Sequence, residues 1–289
     1  FTWIGISNIA PQGVVPDSVI YSFYIGAAIL ILCVIYTTVK VKEMPPAEYA
    51  EYHGITEEEK KEKINMVKLL VKAPKAFWTV GLVQFFCWFA FMFMWTYTNG
   101  SVAANVFDAP TVETVVNGAN KVVLDTKSIQ YQNAADWVGV LFAVQAIGSV
   151  LWAVCIPMFK NRKLIYSLSL VLGGIGFIST YFVHNQYVLF ISFLLIGCAW
   201  AAMLALPFTI LTNALSGGHM GTYLGLFNGT ICIPQIVAAT LDGSILALFT
   251  PKGMLPPEIN MLVMAGVMLI IGAVCVYLIK ETKGEQAKA

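Results

Sequence analysis

Residues 76–98 read AFWTVGLVQFFCWFAFMFMWTYT, a stretch without one charged side chain. About 20 mostly apolar residues in a helix span the hydrocarbon core of a bilayer, and a soluble core helix rarely runs so long without charge. This stretch therefore reads as a membrane span. Six more meet the same criterion, at roughly 18–40, 137–159, 164–183, 187–213, 221–249 and 260–279. Composition agrees: of 289 residues, 58% are apolar and 11% charged, against about 25% charged in a soluble domain. The mean hydropathy is +0.75. The expected fold class is an all-α membrane protein with about seven transmembrane helices and the lipid bilayer as its first partner.

The cations sort by loop. Lys40, Lys42, Lys60, Lys61, Lys63, Lys68, Lys72, Lys75, Lys160, Arg162, Lys163, Lys280, Lys283 and Lys288 fall on one side, and only Lys121, Lys127 and Lys252 on the other. Lys and Arg concentrate in cytoplasmic loops, so the C-terminus is expected inside and the N-terminus outside, in a plasma membrane (the inner membrane, if bacterial). A net charge of +1 gives no reason to expect a nucleic-acid partner. The six cysteines (Cys33, Cys87, Cys155, Cys198, Cys232 and Cys275) lie one to a span with no CxxC, as small apolar residues do. The chain starts at Phe1 without a charged n-region, which reads as a truncated start, not a processed signal peptide.

Two loops are long. The expected cytoplasmic one, 43–75, opens on Pro45-Pro46 and then carries Thr56-Glu57-Glu58-Glu59, the pattern of a helix start. Ile64, Val67 and Val71 follow at helical spacing among lysines, as in an amphipathic helix on the inner surface, although a solvated charged linker fits as well. The expected outer loop, 100–136, shows no clear period; it reads either as a cap over an entrance or as a connector.

The second span carries the most informative pattern. Gln84, Trp88, Trp95 and Asn99 fall within about 60° of one another at 100° per residue. Amides hydrogen-bond vicinal hydroxyls in pairs, and an indole face packs the C–H face of a sugar ring. The competing use is an interfacial belt for Trp95 and Asn99, with Gln84 bonding a neighbouring helix. In the sixth span Asn228, Gln235 and Asp242 repeat every seven residues within about 40°. Polar groups at membrane depth must face other helices or an aqueous cavity. Asp242 is a candidate proton or cation site, with a structural hydrogen bond as the alternative. Asp136 sits at the mouth of the third span as a solvated or helix-capping residue. Gln145 and Trp200 are further contact candidates, each equally fitting as helix–helix glue.

Gly217, Gly221, Gly225 and Gly229 recur every four residues, the spacing of a helix-packing or sliding surface. Gly173, Gly174 and Gly176 form a second small-residue patch. Pro207 and Pro234 are expected to interrupt the fifth and sixth spans, lining a site or merely kinking them. His53, His184 and His219 are dispersed, and no arrangement of Ser, Cys or His suggests a nucleophile. No metal, cofactor or enzymatic activity is expected.

Three segments resemble the sugar:cation symporters of the major facilitator superfamily, the group that includes sucrose–proton and maltose transporters. Trp95-Thr96-Tyr97-Thr98-Asn99-Gly100 is similar to that family's "YTD-x-x-G" turn, with Asn99 where many members have Asp. Gly217 to Gly225, followed by Ile233-Pro234-Gln235, resembles its glycine-rich loop and "IPQ". Lys160-Asn161-Arg162-Lys163 sits where the superfamily repeats its "D-R-x-G-R-R" gate motif, with Met158 for the Asp and Asn161 for the Gly.

The resemblance implies a partial major facilitator fold. Residues 1–42 would hold the last helix of an N-terminal half, 43–75 the inter-half loop, and 76–289 a six-helix C-terminal half, with the rest of the first half upstream of Phe1. It implies secondary active symport of a sugar, a disaccharide or α-glucoside, with a proton or other cation by alternating access. The binding candidates would be Gln84, Trp88, Trp95, Asn99, Gln145, Trp200, Asn228 and Gln235, with Asp242 for the ion. The rival reading is a seven-helix receptor or sensor. Against it stand an inner loop of about 33 residues and a seventh span without a lysine before Lys280 for a retinal-type Schiff base.

Overall fold

The computed structural model describes residues 15–42, 66–116, 119–215, 220–251 and 253–279, together with positions 6, 44, 45, 48, 51 and 52. The expected helix start at Thr56, the first glycine of the repeat (Gly217), Gly218, His53, His219, Lys252 and Lys280 lie outside these residues.

Among the described residues, seven helical spans are long and apolar enough to cross a bilayer: Asp17–Lys40, Lys75–Asn105, Ile129–Met158, Arg162–Ser179, Leu189–Ala214, Met220–Phe249 and Ile259–Leu278. Residues 1–62 and 63–289 form two compact units. The first contains helix α1 (Asp17–Lys40), with Asp17 in its first turn and Lys40 in its last, the charge order that complements a helix dipole. Phe23, Tyr24 and Leu30 lie exposed along it; such side chains suit lipid.

The second unit contains the rest. Helix α2 (Met66–Val71) is a short turn in which Val67 and Val71 are exposed. Leu69 is instead held, its carbonyl accepting from the Tyr223 hydroxyl at 3.3 Å. Helix α3 (Lys75–Asn105) runs seven residues past the expected end at 98, so the Tyr97–Gly100 segment is helix and not a turn. Strands β1 (Thr111–Val116) and β2 (Ala119–Leu124) then pair antiparallel, Thr111 opposite Leu124 and Val116 opposite Ala119. The sequence reading missed this hairpin. Its signal was present as Asn117-Gly118 between two valine-rich runs.

Helix α4 (Ile129–Cys155) is capped by Ser128, whose hydroxyl accepts from the Tyr131 N–H at 3.3 Å. Asp136 therefore lies inside the helix and is not its cap. Helix α5 (Arg162–Ser179) starts on Asn161, which accepts from the Leu164 N–H at 3.0 Å; the residue replacing the gate-motif Gly thus caps a helix. Helix α6 (Leu189–Ala214) runs through Pro207. The sixth span divides at Asn228 into α7 (Met220–Phe227) and α8 (Gly229–Phe249), and α8 runs through Pro234. The expected interruptions at the two prolines are thus corrected: the one break lies six residues before Pro234. Helix α9 (Ile259–Cys275) ends the described fold with a final 3-10 turn, Val276–Leu278.

Lipid tails are as apolar as leucine, so helices in a bilayer associate through close packing and hydrogen bonds. Glycines supply the closeness. A Cβ on Gly197 of α6 would overlap the Gln145 carbonyl oxygen of α4, and one on Gly148 of α4 would stand 2.7 Å from the Leu194 carbonyl oxygen of α6. Gly174 of α5 and Gly266 of α9 face each other in the same way, 2.9 and 2.7 Å from the opposing carbonyl oxygens. A Cβ on Gly176 would stand 2.6 Å from the Ser192 carbonyl oxygen. Gly221 and Gly225 have nothing within 4 Å of such a Cβ, and Gly229 only Ile233 of its own helix at 3.9 Å. The expected packing surface is therefore not used within this unit, and the tight contacts fall on the glycines of α4, α5, α6 and α9.

Overpacking a filled site costs about 1–3 kcal/mol. Gly197→Val should lower the melting temperature of the detergent-solubilised protein clearly, whereas Gly225→Ala should leave it unchanged or raise it.

Candidate functional site

Pro207 has no N–H, so the carbonyl of Met203, four residues earlier, lacks its helical donor. Gln84 of α3 supplies one: its Nε2 donates to the Met203 carbonyl at 3.1 Å. Gln84 is fully buried, and its Oε1 has no partner. The amide is thus half used by the fold.

Above this bond α3 and α6 meet through aromatic rings. Trp200 lies 5.9 Å from Trp88 at 77°, 5.9 Å from Trp95 at 79° and 4.9 Å from Phe91. Trp88 and Trp95 are 6.4 Å apart. Edge-to-face contacts of this kind favour the quadrupoles of the rings. Trp88 is buried and its Nε1 has no partner, while Trp95 is 44% exposed. Farther along α3, the buried Oδ1 of Asn99 and the hydroxyl of Ser101 also lack partners. Unpaired buried polar atoms are uncommon and each calls for a reason. Of the five among the described residues, four lie on this one helix, and the fifth is the Tyr166 hydroxyl on α5.

The structure therefore brings together Gln84, Trp88, Trp95 and Trp200, with Asn99 one turn beyond Trp95. Gln145 is buried on α4, where its carbonyl abuts Gly197, three residues before Trp200 on α6. Asn228 is exposed at the break before α8, and Gln235 is half-buried on α8. Helix α8 approaches α3 at two levels: Thr230 stands 3.0 Å from a Cβ built on Gly81, and Asp242 lies beside Tyr97. Gln235 lies between those levels and shares a helical face with Asp242. The Asp242 carboxylate accepts from the adjacent Gly243 N–H.

The sequence reading missed Glu258, and took Gly100 only as the glycine that ends the Trp95–Gly100 motif. A Cβ on Gly100 would overlap the Glu258 carboxylate, which puts that acid from the start of α9 against α3. In sequence, Pro256-Pro257-Glu258 reads only as a helix start.

The assembled groups are uncharged donors, acceptors and flat rings, suited to orienting a neutral hydroxylated molecule. Among the described residues no three of His, Cys, Asp and Glu group as metal ligands, and His184 is exposed beside the Phe182 carbonyl at 3.2 Å. A separate cavity of about 390 Å3 lies between β2 and the end of α8, lined by Lys121, Val122, Leu246, Pro251 and Met254 among others. None of the candidate binding residues lines it. A family model described as Major Facilitator Superfamily matches residues 102–289, the end of α3 through α9 and beyond. No curated protein matches the chain.

Trp200 joins three rings and Trp95 is partly exposed. Trp200→Ala should therefore cost about 3–5 kcal/mol and Trp95→Ala about 1 kcal/mol, read as the difference between their melting curves in detergent.

Proposed function

Because the chain belongs to the major facilitator superfamily and is thus a multi-pass membrane transporter, we propose that its cargo is a sugar of disaccharide size, taken up with a proton or other cation. The observation that carries this reading is the pairing of unpartnered buried polar atoms on α3, an acceptor at Gln84 and a donor at Trp88, with the indoles of Trp88, Trp95 and Trp200. A hydroxyl both donates and accepts, so a sugar satisfies both groups at once while its C–H face lies on a ring. An anionic solute would find no counter-charge among these groups.

In this reading residues 76–289 form one six-helix half, and a second half closes the pathway from the opposite side. The halves rock about a midplane site, exposing it to each face of the membrane in turn. Gln235 and Asn228 on the sixth span enter the site from α8, and Asp242, held beside Tyr97, takes the coupling ion. The lysine bias of the loops on the C-terminal side supports a cytoplasmic C-terminus, in this reading at a plasma membrane. Family membership supports transport over a seven-helix receptor.

The test is uptake of a labelled disaccharide panel by the full-length protein, with and without an imposed proton gradient. One sugar should accumulate, and a protonophore should abolish its accumulation. Gln84→Ala and Gln235→Ala should each weaken apparent affinity about tenfold or more, the equivalent of about 1.4 kcal/mol, with melting curves run in parallel to separate site from fold. Unchanged uptake in a folded variant would remove that residue from the site, and no uptake of any disaccharide would remove the sugar.

A further inference from the structure

Glu258 stands at the N-cap of α9, just outside the span Ile259–Leu278, yet its side chain makes no cap hydrogen bond to that helix. A carboxylate at this position would ordinarily accept from the free N–H groups and gain from the dipole. Instead the side chain crosses to α3. A Cβ built on Gly100 would overlap one carboxyl oxygen and stand 2.5 Å from Cδ and 2.9 Å from Oε1, so the whole carboxyl group occupies the notch that this glycine leaves. Glu258 itself is half-buried there. Ile259 and Leu262 of α9 and Ser101 and Val102 of α3 are all buried, and these four line one small void beside it.

A carboxyl group so placed is costly to ionise, because burial penalises the charged form and nothing nearby repays it. The titratable group that interacts with it is Tyr97 on α3, which also interacts with Asp242 on α8. A phenol offers no positive charge. Burial pushes the Glu258 carboxyl up to about 7 from an ordinary 4.5.

We propose that Glu258 is a proton-binding site: its neutral carboxyl, seated at Gly100, holds the start of α9 against the end of α3, and loss of the proton releases that contact. The inference does not rest on the sugar reading. The direction follows from linkage. Below about pH 4.5 the carboxyl is protonated whether seated or released, and the contact is at full strength. Between about 4.5 and 7 seating must take up a proton, so the seated fraction relative to the released one falls about tenfold per pH unit. Above about 7 the loss levels off, at about 300-fold in all, one pKa unit being a factor of ten.

The experiment needs no substrate. Infrared spectra of the intact protein in lipid nanodiscs, recorded from pH 4 to 9, should contain a protonated-carboxyl C=O band that disappears with a midpoint near 7 and is missing in Glu258→Gln. Gly100→Ala fills the notch and should return that midpoint to the ordinary carboxylate range. Hydrogen-exchange protection of residues 101–105 and 259–262, corrected for the intrinsic pH dependence of exchange, should fall between about pH 5 and 7 in the unaltered protein and stay flat in Glu258→Gln. The proposal is overturned if no band lost in Glu258→Gln titrates above about pH 5.5, or if that variant keeps the unaltered protein's protection profile. The unaltered protein and Glu258→Gln decide the matter even if Gly100→Ala does not fold.

Discussion

A proline inside a membrane helix creates a local debt that another element must settle. Pro207 deprives the Met203 carbonyl of its donor, and no water reaches membrane depth to replace it. The Gln84 amide does so across the α3–α6 interface. The bond therefore fixes one helix against the other in rotation and in height, because a single carbonyl on α6 is free and a single amide on α3 reaches it. The other contacts follow from that alignment: Trp88 and Trp95 rise one and three turns beyond Gln84, and Trp200, one turn before Met203, falls between them. The same geometry leaves Gln84 Oε1 and Trp88 Nε1 unpaired beside the rings. Fold and proposed site thus share one side chain.

The rest of the second unit divides into an interlocked part and a looser one. Helices α4, α5, α6 and α9 touch at glycines where a single added methyl group meets a backbone carbonyl, so they can slide past one another only at the cost of many contacts. The sixth span has only 11% of its most apolar window buried and presents open space at Gly221, Gly225 and Gly243. A helix without interlocked backbone contacts shifts more cheaply. That span also carries Asn228, Gln235 and Asp242, and it divides at Asn228. In a transporter that must change shape around a bound solute, polar groups on the less constrained element are placed where movement can alter what they touch.

Much of the architecture was legible in the sequence because a bilayer imposes a length and a composition on every span. All seven spans follow from runs such as 76–98, and the family model agrees over residues 102–289. What escaped was decided by partners distant in sequence. Pro207 could be read as a helix-perturbing residue, but the amide that lets α6 run through it lies 119 residues before the Met203 carbonyl it serves. The repeat at Gly221, Gly225 and Gly229 has the right spacing for packing, yet Gly148, Gly174, Gly197 and Gly266 do the packing, and only the neighbouring backbones distinguish the two sets. Glu258 went unread because the residue it packs against, Gly100, lies on another helix. The hairpin differs in kind: Asn117-Gly118 with its flanking valines is a local signal, lost in a loop read only for helical period.

The measurement that bears most directly on this account is a double-mutant cycle between positions 84 and 207, followed by reversible unfolding in detergent. Pro207→Ala returns an N–H to Met203 and makes the Gln84 amide redundant. Gln84→Met should therefore destabilise the native background and cost little in the Pro207→Ala background, with a coupling of about 0.6–1 kcal/mol, the size of interhelical hydrogen bonds in membranes. Additive effects, to within about 0.3 kcal/mol, would contradict the account, for Gln84 would then owe its position to something other than the carbonyl that the proline sets free.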